Sequence, residues 1–94
     1  MKITECVWKE QFVEKFEQKH NVFTDEVEEV FCNVPRFYFV AKGRIAGENV
    51  YRALGQTDAG RYLVIFFIYK RGGKALPISA RDMDAKERKS YGKK

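Results

Sequence analysis

The stretch RYLVIFFIYK, residues 61–70, decides the fold. It is the most continuously apolar run in the chain, rich in β-branched and aromatic residues, and it lies between two glycine-containing turn signals, TDAG at 57–60 and RGGK at 71–74. A strand without a polar alternation has no solvated face. The run is therefore expected at the centre of a sheet with both faces covered.

Working outward, RFYFVAKG (36–43), ENVYRALGQ (48–56) and ALPISA (75–80) have the same strand composition, and KGRIAG (42–47) supplies a further turn. Strands joined by such short turns form an antiparallel meander. Upstream, KITECVW (2–8) alternates apolar and polar residues and predicts a short strand. From Lys9 the period changes, with Phe12, Val13 and Phe16 at helical spacing. That helix is expected to close at Lys19, His20 and Asn21, where cations suit the dipole and Asn tolerates a left-handed backbone. Thr24 reads as the N-cap of a second helix, with Asp25 and Glu26 in its first turn and Val27, Val30 and Phe31 on one face. It reaches about Cys32 before Asn33 and Pro35 stop it. At the other end DMDAKERKSY (82–91) is helical in composition, with Asp82 or Asp84 as cap and Glu87 at capping-box spacing from Asp84; the tail GKK is expected to fray. The fold class is α+β: a small antiparallel β-sheet with two N-terminal helices and a C-terminal helix, in one domain over residues 1–94.

Composition excludes several classes of function. With 45% hydrophobic and 15% aromatic residues the chain can build a core. Its start is broken by Glu5, Lys9 and Glu10, so neither a membrane span nor a secretory signal is read, and the expected compartment is the cytoplasm. Cys6 and Cys32 lie in apolar runs, which reads as buried thiols, and with a single histidine no structural metal is expected. No cofactor is expected either.

The net charge of +5 is unevenly spread. Residues 1–33 hold four lysines against eight acids, residues 34–69 five cations against two acids, and residues 70–94 nine against three. Such a C-terminal field suits a polyanion, although a basic tail kept for solubility accounts for the terminal lysines equally well.

LPISAR, residues 76–81, carries the sharpest chemical question. If the strand leaves the core at Ala80, Arg81 must meet water, a carboxylate or a phosphate. His20 is the one side chain whose ordinary titration lies near neutrality, which suits a general acid or base, but a histidine at a helix end is also a good cap. No nucleophilic triad and no phosphate-binding glycine loop is present, and the acidic pairs Asp25/Glu26 and Glu28/Glu29 read as solvated surface. What remains is arginine: Arg52, Arg61 and Arg81 in or beside strands, with Lys86, Arg88 and Lys89 near Tyr91 on the last helix. RNA carries its own nucleophile, the 2′-hydroxyl, so cleavage needs only orientation, proton transfer and stabilisation of a pentavalent phosphate. Guanidinium groups supply the last of these at any working pH. Taken singly, each arginine reads equally as half of a surface ion pair.

The sequence Trp8, Lys15, KHNVFTDEVEEVF (19–31), ENVYRALG (48–55), RYLVIFF (61–67) and ISARDMDAKERKSY (78–91) resembles the BrnT family of toxins of bacterial type II toxin–antitoxin pairs. The resemblance runs from about residue 4 to residue 91, and its most specific part is ISAR followed by ER and Tyr. It implies a RelE-like fold and a metal-independent endoribonuclease that arrests translation. It further implies a ribbon-helix-helix antitoxin, BrnA-like, that blocks the toxin and carries the complex to operator DNA. Carried over by position, the family's KH falls on Lys19 and His20, its R-x-x-G on Arg52 to Gly55, its SAR on Ser79 to Arg81, and its ER-x-x-Y on Glu87, Arg88 and Tyr91. The implied catalytic set is His20, Arg52, Arg81, Glu87, Arg88 and Tyr91: Arg81 on the scissile phosphate, Arg52 and Arg88 adding charge, His20 or Tyr91 moving protons, and Glu87 orienting an arginine. Lys19, Arg61, Lys70, Lys86 and Lys89 are the candidate RNA contacts. The chain departs from the family's pattern with Lys9 in place of Asp after Trp8, with Asn21 in place of Gly after KH, and in the segment between the helices and ENVYR. Asn can take the glycine conformation at modest cost. Two rival readings are a non-catalytic RNA- or protein-binding module, and a degenerate toxin acting as a corepressor with its antitoxin.

Overall fold

In a computed structural model that describes residues 1–92, the chain forms eight elements. They are β1 (Glu5–Cys6), α1 (Glu10–His20), α2 (Thr24–Cys32), β2 (Arg36–Ala41), β3 (Val50–Gln56), β4 (Tyr62–Lys70), β5 (Lys74–Asp82) and α3 (Ala85–Gly92). The sheet order is β1-β5-β4-β3-β2, with β4 in the middle as its unbroken apolar run requires. Strands β2 to β5 are the antiparallel meander; β1 adds a parallel edge, so the sheet is mixed. The predicted strand over residues 2–8 thus contracts to two residues, steadied by amides of Thr4 and Val7 donating to the Gly73 and Ala75 carbonyls. The terminal Lys93 and Lys94 of the expected frayed tail lie outside the described residues.

Alternation along the strands sends one set of side chains to each face. On the first face Leu63, Ile65 and Phe67 of β4, Ala53 of β3 and Ala75 and Ala80 of β5 pack under Phe16 of α1 and Val22, Val27 and Val30 of the segment through α2, all of them buried. Gly55 lets α2 come this close: a Cβ there would stand 3.0 Å from Val30 Cγ1 and 3.1 Å from Pro35 Cβ. On the second face a smaller cluster of Leu54, Val64 and Met83 is flanked by Tyr38, Tyr62, Phe66 and Tyr91. Among the described residues only the short α3 lies over this side, so Phe66 and Ile68 stay half-exposed, where full cover of β4 was expected.

The helix ends follow the sequence with two corrections. Asn21 closes α1 in the left-handed conformation (φ 54°), its amide donating to the Glu17 carbonyl and the next amide, that of Val22, to the Phe16 carbonyl. Lys9 begins α1 without any side-chain cap. The N-cap of α2 is Phe23 rather than Thr24, and Glu26 reaches back to accept the Phe23 amide at 3.1 Å. At α3 the capping box forms in full: Asp84 accepts the Glu87 amide and Glu87 accepts the Asp84 amide, each at 2.8 Å. Cys6 is half-buried, and burial pushes its thiol up to about 12. Cys32 is exposed at the last position of α2, contrary to its apolar surroundings in sequence.

Candidate nucleic-acid interface

The second face of the sheet gathers arginines because the strand registers align them. Arg36 pairs with Leu54, Leu54 with Val64, and Val64 with Arg81, so one row across four strands has a guanidinium at each end. The next row is Tyr38, Arg52, Phe66 and Ser79, and the row on the other side contains Gln56 and Tyr62. Strand β5 runs on to Asp82 instead of leaving the core at Ala80. Arg81 therefore belongs to the sheet face and not to a loop.

Arg81 meets a carboxylate. Its Nη1 and Nη2 donate to the two Glu87 oxygens at 2.7 and 2.9 Å, a two-point pair of the kind that fixes a guanidinium plane. Arg52 Nη1 stands 3.9 Å from the same carboxylate. The hydrogen bonds from Arg81, with the Asp84 amide and the nearby Arg52 charge, hold the Glu87 carboxyl below its ordinary range despite partial burial. Each guanidinium also rides on an aromatic ring: Arg52 over Tyr38 at 5.1 Å, Arg81 over Phe66 at 5.6 Å, Arg88 over Tyr62 at 4.1 Å and Arg36 over Tyr91 at 5.7 Å. Such platforms hold a cation in place while leaving its N–H edge free to meet an anion.

The capping box places Glu87 and, one residue on, Arg88; a turn later Tyr91 stands edge-on to Tyr62, ring centres 6.1 Å apart. Beside these lies a cavity of about 780 Å3, lined among others by Asn33, Arg36, Gln56, Tyr62, Arg88 and Tyr91. Of the six residues of the predicted catalytic set, five converge here: Arg52, Arg81, Glu87, Arg88 and Tyr91. His20 does not. It lies at the end of α1, on the other side of β5, in a small groove with Lys15, Lys19, Ile78 and Ser79.

The predicted RNA contacts separate as well. Arg61 is held on the helical face, donating to Glu26 (3.1 Å), to Asp82 (2.8 Å) and to the carbonyls of Asn21 (2.8 Å) and His20 (3.1 Å). Its donors tie α1, α2 and β5 together and leave little for a phosphate. Lys70 pairs with Glu48 at 2.7 Å. Lys19, Lys86 and Lys89 are exposed. Glu26 and Glu29, read as solvated, are half-buried and engaged, Glu29 accepting the Asp58 amide at 3.0 Å. Sequence reasoning missed Arg36, Tyr38, Tyr62, Asn33 and Gln56; Arg36 and Tyr38 alternate toward one side of β2, but only the register with β3 reveals that this side is Arg52's.

Residues 8–87 match a family model described as the ribonuclease toxin BrnT of type II toxin–antitoxin systems. No curated protein matches the chain. Among solved structures, the 1.1 Å crystal structure of the Brucella abortus ribonuclease toxin BrnT superposes with a TM-score of 0.64 at 18% identity, covering 86% of this chain and 97% of that one. At that identity the superposition speaks for the fold, and the family match over most of the chain speaks for kinship. Both agree with the α+β architecture, and the chain belongs to the BrnT family of ribonuclease toxins of type II toxin–antitoxin systems.

Proposed function

We propose that this toxin is a metal-independent endoribonuclease whose working surface is the arginine-lined second face of the sheet, that its cutting of RNA inhibits translation, and that a cognate antitoxin of the ribbon-helix-helix type neutralises it. The observation that carries the reading is the convergence of Arg36, Arg52, Arg81 and Arg88 on one face, each seated on an aromatic ring. Kinship with type II toxins implies an antitoxin partner in any case.

In this reading Arg81 and Arg52 take the non-bridging oxygens of the scissile phosphate, where charge grows as the 2′-oxygen attacks. Fixed cations already oriented toward that charge cost no reorganisation when it forms. Glu87 is a positioning residue: kept ionised by its partners, it sets the plane of Arg81. Tyr91, with Arg36 5.7 Å above its ring, stands among these cations and fits the general acid or base better than His20, which lies outside the cluster. An antitoxin segment with carboxylates can cover the same face by imitating phosphate.

The test is induction of the wild-type chain and of Arg81→Ala in a bacterial host, with RNA 5′ ends mapped and purified protein incubated with RNA in chelator. Growth arrest and new ends with the wild type only, and cleavage that persists in chelator, are expected. Soluble wild-type protein that leaves RNA intact would return the choice to a binding module or a corepressor.

A further inference from the structure

We propose that the 780 Å3 cavity beside the arginine cluster is a guanine-selective base pocket that sets where the RNA is cut. The proposal rests on the ribonuclease reading of that face, because it supplies the neighbouring nucleotide. A cavity of this size suits a nucleotide, and its corner is made of two rings at 83°, Tyr62 and Tyr91, one able to serve as floor and the other as wall. Arg88 already stands over Tyr62, its guanidinium carbon 4.1 Å from the ring centre, which marks that ring as a platform for planar groups.

The polar groups of the walls are sorted by sign. Asn33 Nδ2 donates to the Gln56 carbonyl at 2.9 Å and to Asp58 Oδ1 at 3.0 Å, and Gln56 Nε2 donates to the Gly60 carbonyl at 3.2 Å. With their amide nitrogens engaged, both side chains have carbonyl oxygens to spare as acceptors. Arg36, Arg88 and Lys89 line the same cavity and can only donate. Guanine is the base with acceptors, O6 and N7, on one edge and neighbouring N–H donors, N1 and N2, on another. Arg or Lys on O6 and N7 is its commonest protein contact.

Backbone strain marks the same place. Val34, a β-branched residue 86% exposed, is held at φ 49° on the cavity rim. A left-handed valine is costly and persists where surrounding structure enforces it, as at ligand sites. There it presents an apolar edge to whatever enters.

The experiment titrates wild-type protein with the four nucleoside 3′-monophosphates, none of which can be cleaved, following amide and side-chain resonances by NMR. Guanosine 3′-monophosphate is expected to bind at least tenfold more tightly than the cytidine and uridine forms and to shift Asn33, Gln56 and Arg88. Mapped RNA ends are expected to be enriched in guanine on one side of the cut, and Gln56→Met, with its melting temperature checked, is expected to lose that enrichment. Equal binding of all four nucleotides, or shifts confined to other surfaces, overturns the pocket even if cleavage through Arg81 stands. Selective binding without any cleavage would instead sink the ribonuclease assignment of the face and leave the pocket.

Discussion

Arg81 and Glu87, six residues apart, are joined by two parallel hydrogen bonds across the junction between β5 and α3. The same Glu87 oxygen that holds Arg81 Nη1 accepts the first amide of the capping box. One carboxylate thus fixes both the last helix and the central guanidinium of the proposed phosphate site. Substituting Glu87→Gln keeps an acceptor for the Asp84 amide but removes the charge opposing RNA. RNA binding is expected to tighten a few-fold with a steeper salt dependence, since one more cation is released to phosphate. Cleavage is expected to slow by at least about tenfold because Arg81 is no longer held in plane. Measuring binding and single-turnover cleavage separately checks this. A parallel fall in both would mean that Glu87 only supports the helix.

The acid limb of stability should report the same pair. Arg81 hydrogen bonds hold Glu87 below its ordinary value of 4.5, and Arg61 hydrogen bonds hold Asp82 below 3.8. Carboxylates depressed by folding contribute stability that is fully present above the unfolded values and is lost as pH falls through the folded ones. Urea midpoints are therefore expected to stay level from neutrality to about pH 5 and then to decline, less steeply in Glu87→Gln. Asp82, largely exposed, should contribute the smaller part. A midpoint that rises on acidification below pH 4 would contradict the assignment of these pairs.

Arg61 separates structural from substrate cations. It is roughly three-quarters covered and satisfies two carboxylates and two helix-end carbonyls at once. Arg61→Met keeps the stem and removes every one of those bonds. A loss of about 2 to 4 kcal/mol is expected, the range for stripping the partner from part-buried charges. The salt slope of RNA binding should not change, whereas Arg52→Met should flatten it. Chemical denaturation and binding titrations over two or three salt concentrations distinguish these outcomes.

Much of this was legible beforehand. The unbroken apolar run over 61–70 places β4 at the centre, the Asp84–Glu87 spacing gives the capping box, and Asn21 takes the left-handed cap. What was hidden depended on register and on faces. Nothing local says that Arg81 stays in strand β5 opposite Val64, or that Arg36 shares its row. Arg61 reads like Arg81 in sequence, yet a neighbouring position sends it to the helical face, since side chains on adjacent strand positions point opposite ways. His20 stands apart from the arginine cluster for a similar reason: α1 packs on the first face, so its end reaches only the edge of β5.

The strained Val34 sets stability against function within one residue. At φ 49° a valine is disfavoured by roughly 1 to 3 kcal/mol, and the residue buries little in return, being 86% exposed. Asn or Gly accepts this backbone far more readily. Val34→Asn is accordingly expected to raise the melting temperature by a few degrees, in line with a gain of about 1 kcal/mol for a chain of this length. If Val34 forms the apolar lip of a base pocket, the same substitution should weaken guanosine 3′-monophosphate binding several-fold without altering the salt slope set by the arginines. Thermal melts and nucleotide titrations on one preparation settle both halves. A variant that is more stable and binds equally well would make Val34 a cost of the turn into β2 alone.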